Sequence, residues 1–208
     1  MSGIKICGLF RDEDTDYVNE AAPDCAGFII NFPKSHRNVD PARARQLASK
    51  LSGDIRAVGV FVDQPLEAVA QAAELIGLDA VQLHGHEDAG YILSLREMIS
   101  LPVWKAFRVR TAEDLERAAG CPADEVVMDN GYGTGEAFDW ELLAGFPREF
   151  ILAGGLSPQN IPEALKLYSP KMVDISSGVE TNRKKDRDKI IAAVRAVREY
   201  GENEKGRK

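Results

Sequence analysis

The sequence predicts a single-domain α/β protein, a (β/α)8 TIM barrel over residues 1–200 followed by a polar tail at 201–208 that frays. Short β-branched runs alternate eight times with longer stretches of helical period. That order implies parallel pairing, because each return to the sheet needs a crossover of helical length. The 208 residues suit one domain, or at most two small ones, and no linker or low-complexity block divides them. Eight such units fit a closed barrel better than an open sheet. The dinucleotide-binding version of the open sheet loses its support, since no Gly-x-Gly-x-x-Gly turn follows the first strand.

In chain order, a strand expected at 4–7 precedes a helix at 14–20, one at 26–30 a helix at 41–51, and one at 57–62 a helix at 66–76. The strand at 80–83 leads to a helix at 89–99, that at 103–107 to 112–119, and that at 125–129 to a short helix at 140–144. The last two units join 150–153 to 158–168 and 172–175 to 186–199. Asp40-Pro41, Thr111 ahead of Asp114, and Ser157-Pro158 each set a capping side chain before a good first-turn residue. The final helix puts Ile190, Ile191, Val194 and Val197 on one face and leaves Lys189, Arg195 and Arg198 to solvent.

Composition narrows the function classes. A net charge of −7 argues against nucleic acid as the main partner, since duplex binding needs a concentrated basic face. It does not exclude a small anion, which responds to local charge. Cysteines at 7, 25 and 121 are too few and scattered for a disulfide framework, and no Cys-x-x-Cys pair suggests zinc. No secretory hydrophobic region precedes the first strand, and no run approaches the ~20 apolar residues of a membrane helix. A reduced, cytoplasmic, soluble protein is expected, with no membrane partner and a monomer favoured.

In parallel α/β barrels the chemistry projects from strand C-termini. At those positions stand Cys7, the 31–37 loop, Asp63, His84, Arg108, Asp129, Gly154-Gly155 and Ser176-Ser177-Gly178. A free cysteine is usually a small buried hydrophobe; a cation beside Cys7 would lower its pKa and supply a thiolate. Asp129 is either a solvated carboxylate or, partly desolvated, a general acid. Glycines 154, 155 and 178 with Ser176 and Ser177 are ordinary turn residues or, as two loops at adjacent strand ends, the habitual phosphate site of barrels. Arg37 is a surface arginine or a fork for a carboxylate. His36, His84 and His86 lack metal-ligand spacing and read as structural or solvated. Lys105 reads as a snorkelling or salt-bridged lysine, with a Schiff-base role as the alternative.

Lys5-Ile6-Cys7-Gly8, Phe32-Pro33-Lys34-Ser35-x-Arg37, Val58-Gly59-Val60-Phe61-Val62 and Val81-Gln82-Leu83-His84-Gly85 form the first half of an ordered set. Lys105-Ala106, Asp129, Gly133-Thr134-Gly135-x-x-Phe138-Asp139-Trp140, Ala153-Gly154-Gly155-Leu156-x-Pro158-x-Asn160 and Val173-Asp174-Ile175-Ser176-Ser177-Gly178-Val179-Glu180 complete it. Together they resemble the phosphoribosylanthranilate isomerase family along nearly the whole chain. The resemblance implies an Amadori rearrangement of N-(5-phosphoribosyl)anthranilate to 1-(2-carboxyphenylamino)-1-deoxyribulose 5-phosphate, in tryptophan biosynthesis, with no redox or metal cofactor. It implies Asp129 as general acid, Cys7 as general base, Arg37 on the anthranilate carboxylate, and Gly154, Gly155, Ser176, Ser177 and Gly178 on the phosphate.

The chain departs from the family's pattern in a loop after Asp129 that looks short and carries Tyr132, and in Asn31; both bear on loops over the substrate. The other readings are the related histidine-pathway isomerase, a non-catalytic phosphate-binding barrel, and a Lys105 aldolase. The histidine-pathway barrel carries aspartate where Cys7 stands and doubled phosphate motifs, of which only the C-terminal one is apparent here.

Overall fold

A computed structural model describes residues 2–129, 143 and 145–205. The strands are β1 Gly3–Cys7, β2 Cys25–Ile30, the two-residue β3 Asn38–Val39, β4 Arg56–Phe61, β5 Ala80–Leu83, β6 Val103–Arg108, β7 Glu125–Asp129, β8 Ile151–Ala153 and β9 Met172–Ile175. A small hairpin, β10 Glu180–Thr181 with β11 Lys184–Lys185, follows a single 3-10 turn at Ser177–Val179. The helices are α1 Asp12–Ala21, α2 Pro41–Ala48, α3 Leu66–Ile76, α4 Ala89–Met98, α5 Ala112–Ala119, α6 Ile161–Tyr168 and α7 Arg187–Lys205. Strand order is β1-β9-β8-β7-β6-β5-β4-β2-β3, and a further β1–β2 pairing closes the ring. Every barrel pairing is parallel. The predicted barrel is present, with β3 as a short addition beside β2.

The closure sorts side chains by parity, since successive residues of a strand face opposite ways. Cys25, Val58, Ala80, Trp104, Ala106, Val127, Ile151, Ala153 and Met172 form one buried cluster inside the ring. Their neighbours, among them Ile4, Ile6, Phe28, Val81, Val126, Leu152 and Val173, join the larger core between the strands and the helices. A barrel built this way has a filled centre and offers space for a ligand only at its ends.

Helix starts agree with the capping signals at Asp40, whose carboxylate accepts from the Arg43 N–H at 2.7 Å, and at Thr111, which accepts from Asp114. Ser157-Pro158 departs from expectation: residues 158–160 form a turn and α6 begins at Ile161, with Pro162 in its first turn. The Asn160 side chain accepts from the Ser157 N–H at 2.7 Å and stabilises that turn instead.

Helix α7 continues through Lys205; Val197 and Tyr200 pack on the core and Arg198 pairs with Asp24 at 3.1 Å. Of the helix expected at 140–144 only Leu143, buried, is among the described residues, and Tyr132 with its loop lies outside them. No helix among the described residues is long and apolar enough to cross a membrane.

Candidate active site

Parity decides which side chains meet at the carboxyl end of the ring. Lys5 and Cys7 on β1, Gln82 on β5 with His84 just beyond it, Asp129 on β7, and Asp174 on β9 with Ser176 following all take the inward parity. Asp129 is in register with Ala153, Ala153 with Asp174, and Asp174 with Lys5, so one inner face carries both predicted proton-transfer groups.

Cys7 is buried, and directly below it the Lys5 ammonium bonds Asp174 Oδ2 at 2.8 Å. Lys5 is fully enclosed. Burial alone would pull its pKa down, but the Asp174 carboxylate and the Cys7 sulfur outweigh that and hold it above the ordinary lysine value. Burial pushes the Cys7 thiol up, Lys5 pulls it down, and Asp174 adds to the rise; the net direction is upward. The cation expected beside Cys7 is therefore present, yet desolvation outweighs it. Among the described residues, Asp174 Oδ1 has no hydrogen-bond partner although it is buried.

Asp129, at the end of β7, lies 3.1 Å from His84 Nε2, and His84 Nδ1 is 3.4 Å from the Gln82 amide. Read from sequence as structural or solvated, His84 instead faces the candidate acid. The missed signal was its spacing: two residues beyond buried Gln82, it shares the inward face of β5. Lys105 is buried, its ammonium bonding the Gly85 carbonyl at 2.8 Å, Glu87 at 3.1 Å and the Ala106 carbonyl at 3.2 Å. Glu87 in turn accepts from the N–H groups of Asp63 and Gly85, fixing the loops that follow β4 and β5. Asp63 also binds His86 at 2.9 Å, in the open. Arg108 is in register with Asp129 on the neighbouring strand.

Arg37 crosses the end of β1. Gly8 has φ +81, a left-handed conformation open to glycine, and a Cβ there would stand 2.4 Å from Arg37 Cδ. The guanidinium is already engaged: Nε and Nη2 reach the two oxygens of Glu180 at 2.6 and 2.8 Å. Lys185 Nζ joins Glu180 at 2.9 Å and the Ser176 carbonyl at 3.0 Å, and the Ser176 hydroxyl donates to the Cys7 carbonyl at 3.0 Å. Burial would raise the Glu180 pKa, but the bonds from Arg37 and the charge of Lys185 win and lower it to about 2. His36 stands 3.6 Å from Glu180 and edge-on to Phe10; burial, then Arg37, depress its pKa.

The two glycine-bearing loops are brought together. Gly154 and Gly155 turn the chain with φ of +83 and +64. Gly178 sits so close to the loop after the neighbouring strand β8 that a Cβ would lie 1.8 Å from the Leu156 carbonyl oxygen. Gly155 is held in turn by the Asn160 amide, which donates to its carbonyl at 2.9 Å. Cys7, Asp129, Arg37 and both loops thus occupy one end of the barrel, while Lys5, Asp174, Glu180 and Lys185 are supporting residues that the sequence reading did not single out.

Residues 4–196 match the family model described as N-(5'phosphoribosyl)anthranilate (PRA) isomerase. A protein of Thermoanaerobacter sp. (strain X514) named N-(5'-phosphoribosyl)anthranilate isomerase is 42% identical over 205 residues, spanning 95% of this chain and 98% of its own. The crystal structure of phosphoribosyl anthranilate isomerase from Thermotoga maritima superposes with a TM-score of 0.87 at 34% identity, covering 96% of this chain and 100% of that one. A crystal structure of phosphoribosyl anthranilate isomerase in complex with reduced 1-(o-carboxyphenylamino)-1-deoxyribulose 5-phosphate superposes with a TM-score of 0.85 at 34% identity, with the same coverage.

Proposed function

The chain belongs to the N-(5'-phosphoribosyl)anthranilate isomerase family and is an isomerase of tryptophan biosynthesis, and we propose that Cys7 and Asp129 divide its proton transfers between them. The observation that carries this assignment is their shared inward parity at the carboxyl ends of β1 and β7. Asp129 protonates the furanose ring oxygen of N-(5-phosphoribosyl)anthranilate. The C1–O bond breaks as the nitrogen lone pair forms the iminium, which acidifies the neighbouring C2–H. Cys7, as thiolate, takes that proton. The resulting enolamine tautomerises, its C2 hydroxyl losing a proton and C1 gaining one, to give the ketone. One proton then returns from sulfur to carboxylate before the next turnover, and His84, 3.1 Å from Asp129, is the carrier at the carboxylate end of that path.

Arg37 holds the anthranilate carboxylate, supported by its planar donors at the end of β1. Gly154, Gly155, Ser176, Ser177 and Gly178 hold the phosphate, supported by the contact between their two loops. The rearrangement moves protons within one molecule, so it calls for neither a redox cofactor nor a metal. A monomer is the proposed working unit. The three thiols are unpaired, as in a reducing compartment, and the cytoplasm is the proposed location.

Family membership selects this reaction over the histidine-pathway isomerase, a non-catalytic phosphate-binding barrel and a Lys105 aldolase; the Lys105 amine is, moreover, held by three acceptors. The substrate's fluorescence should vanish on adding the protein. Cys7→Ser and Asp129→Asn should each slow that decay by about 10²–10⁴-fold, the usual span of general acid–base catalysis. Turnover like wild type in either variant would remove the assigned pair.

A further inference from the structure

We propose that Glu180 is the positioning residue for substrate recognition: it grips one edge of the Arg37 guanidinium and thereby aims the other edge at the anthranilate carboxylate. The proposal rests on the assignment of Arg37 made above and extends it to a residue that touches no substrate.

The geometry is that of a clamp. Glu180 takes Arg37 Nε and one N–H of Nη2, at 2.6 and 2.8 Å. A guanidinium has five N–H donors, so three remain, on Nη1 and Nη2. Those on the far edge are parallel, the arrangement that receives a second carboxylate in a bidentate pair. Among the described residues Nη1 makes no hydrogen bond. Glu180 is itself held by Lys185 Nζ, 2.9 Å from the same Oε1 that takes Arg37 Nε, and across the hairpin by its register with Lys185; Lys189 Nζ binds its carbonyl at 2.8 Å. Arginine's long stem would otherwise sample many rotamers, and a clamp on its side edge removes that freedom before the substrate arrives.

Charge points the same way. Arg37 and Lys185 contribute two positive charges and Glu180 one negative, leaving a net +1 in a half-enclosed site. An anthranilate carboxylate restores neutrality. Burial and Arg37 keep His36 from adding a further charge. Were Glu180 instead a competitor for Arg37, displaced by the substrate, its neutralisation would tighten binding rather than weaken it.

The test compares two reduced product analogues, one bearing the ortho carboxylate on its phenyl ring and one lacking it, by fluorescence titration of wild type, Arg37→Met, Glu180→Gln and the double variant. Glu180→Gln should weaken the carboxylate-bearing ligand about tenfold, the scale of one charge-assisted hydrogen bond, and change the other by less than about twofold. The double variant should bind no worse than Arg37→Met, since both act through the same guanidinium.

If Arg37→Met weakens both ligands equally, the assignment of Arg37 fails. If Arg37→Met discriminates but Glu180→Gln weakens both equally, leaves both unchanged or tightens the first, the positioning role is overturned. Because Glu180→Gln strands the buried Lys185, a Glu180→Gln/Lys185→Met variant, neutral at both positions, repeats the comparison in a folded background checked by thermal melting; the same discrimination is expected, and its absence overturns the proposal.

Discussion

Replacing Lys5 by methionine separates what the ion pair under Cys7 does for stability from what it does for chemistry. Lys5 is fully enclosed and its partner is Asp174 Oδ2 at 2.8 Å, while Asp174 Oδ1 is already without a partner among the described residues. Lys5→Met therefore leaves a buried carboxylate without its counter-ion, a change that costs about 3–5 kcal/mol. That is a large part of the roughly 5–15 kcal/mol by which domains are stable. At roughly 2–4 °C per kcal/mol for a domain of this size, the melting point should fall by roughly 6–20 °C. Lys5→Met/Asp174→Leu removes both charges and should recover most of the loss, since apolar replacement of a whole buried pair is often neutral or better.

The double variant then exposes the chemical role. Cys7 has lost the cation that offsets its burial, so its thiol should titrate higher still, even though the loss of Asp174 works in the other direction. The rate of Cys7 alkylation against pH, in a Cys25→Ala/Cys121→Ala background, reads this directly. A Lys5→Met melt within a degree of wild type would show that the pair is not desolvated in solution. A double variant with unchanged alkylation profile would show that Lys5 is not the counter-ion of the Cys7 thiolate.

Two further outcomes follow from the same geometry. Glu180 has a pKa lowered from 4.5 to about 2. A depressed carboxylate contributes stability that is present above its ordinary value and lost as pH falls through the lowered one. Urea midpoints measured across that acid window should decline for wild type and more shallowly for the Glu180→Gln/Lys185→Met variant; parallel declines would refute the contribution. Gly178→Ala places a methyl 1.8 Å from the Leu156 carbonyl oxygen, a backbone atom that cannot simply rotate away. The two loops must part, and inhibition by inorganic phosphate should weaken about tenfold or more, with an unaltered inhibition constant counting against a phosphate site there.

The barrel was legible because its signal is local: apolar residues with a strand's brevity alternate with helical period, and the observed strands begin and end within a residue or two of expectation. The candidate acid and base were legible for the same reason, since strand ends can be counted along the chain. Their surroundings were not. Arg37 and Glu180 are 143 residues apart and Lys5 and Asp174 are 169 apart, so no window of sequence contains either pair. The sign of the Cys7 shift was beyond reach as well, because it depends on the balance of desolvation against a single cation rather than on the presence of that cation.

What joins these scattered residues is the segment that follows β9. Asp174 on the strand anchors Lys5 beneath the thiol; Ser176 donates to the Cys7 carbonyl at 3.0 Å; Gly178 abuts the neighbouring glycine loop; Glu180 grips Arg37. Alternate residues 174, 176, 178 and 180 thus touch, in turn, the lysine beneath the proposed base, the strand that carries that base, the neighbouring loop of the proposed phosphate site and the proposed carboxylate fork. A shift of this segment would misplace all three recognition elements together, and a displacement near 1 Å can cost about 10²-fold in rate. Lys185 ties the far end of the segment back to its beginning, bonding both Glu180 and the Ser176 carbonyl from a fully enclosed position. Burying an ammonium there is costly, and the cost is offset only if the loop it closes must keep one shape. The arrangement is what pre-organisation for a substrate with two separated anions requires, with the proposed phosphate and carboxylate receptors held at a fixed spacing.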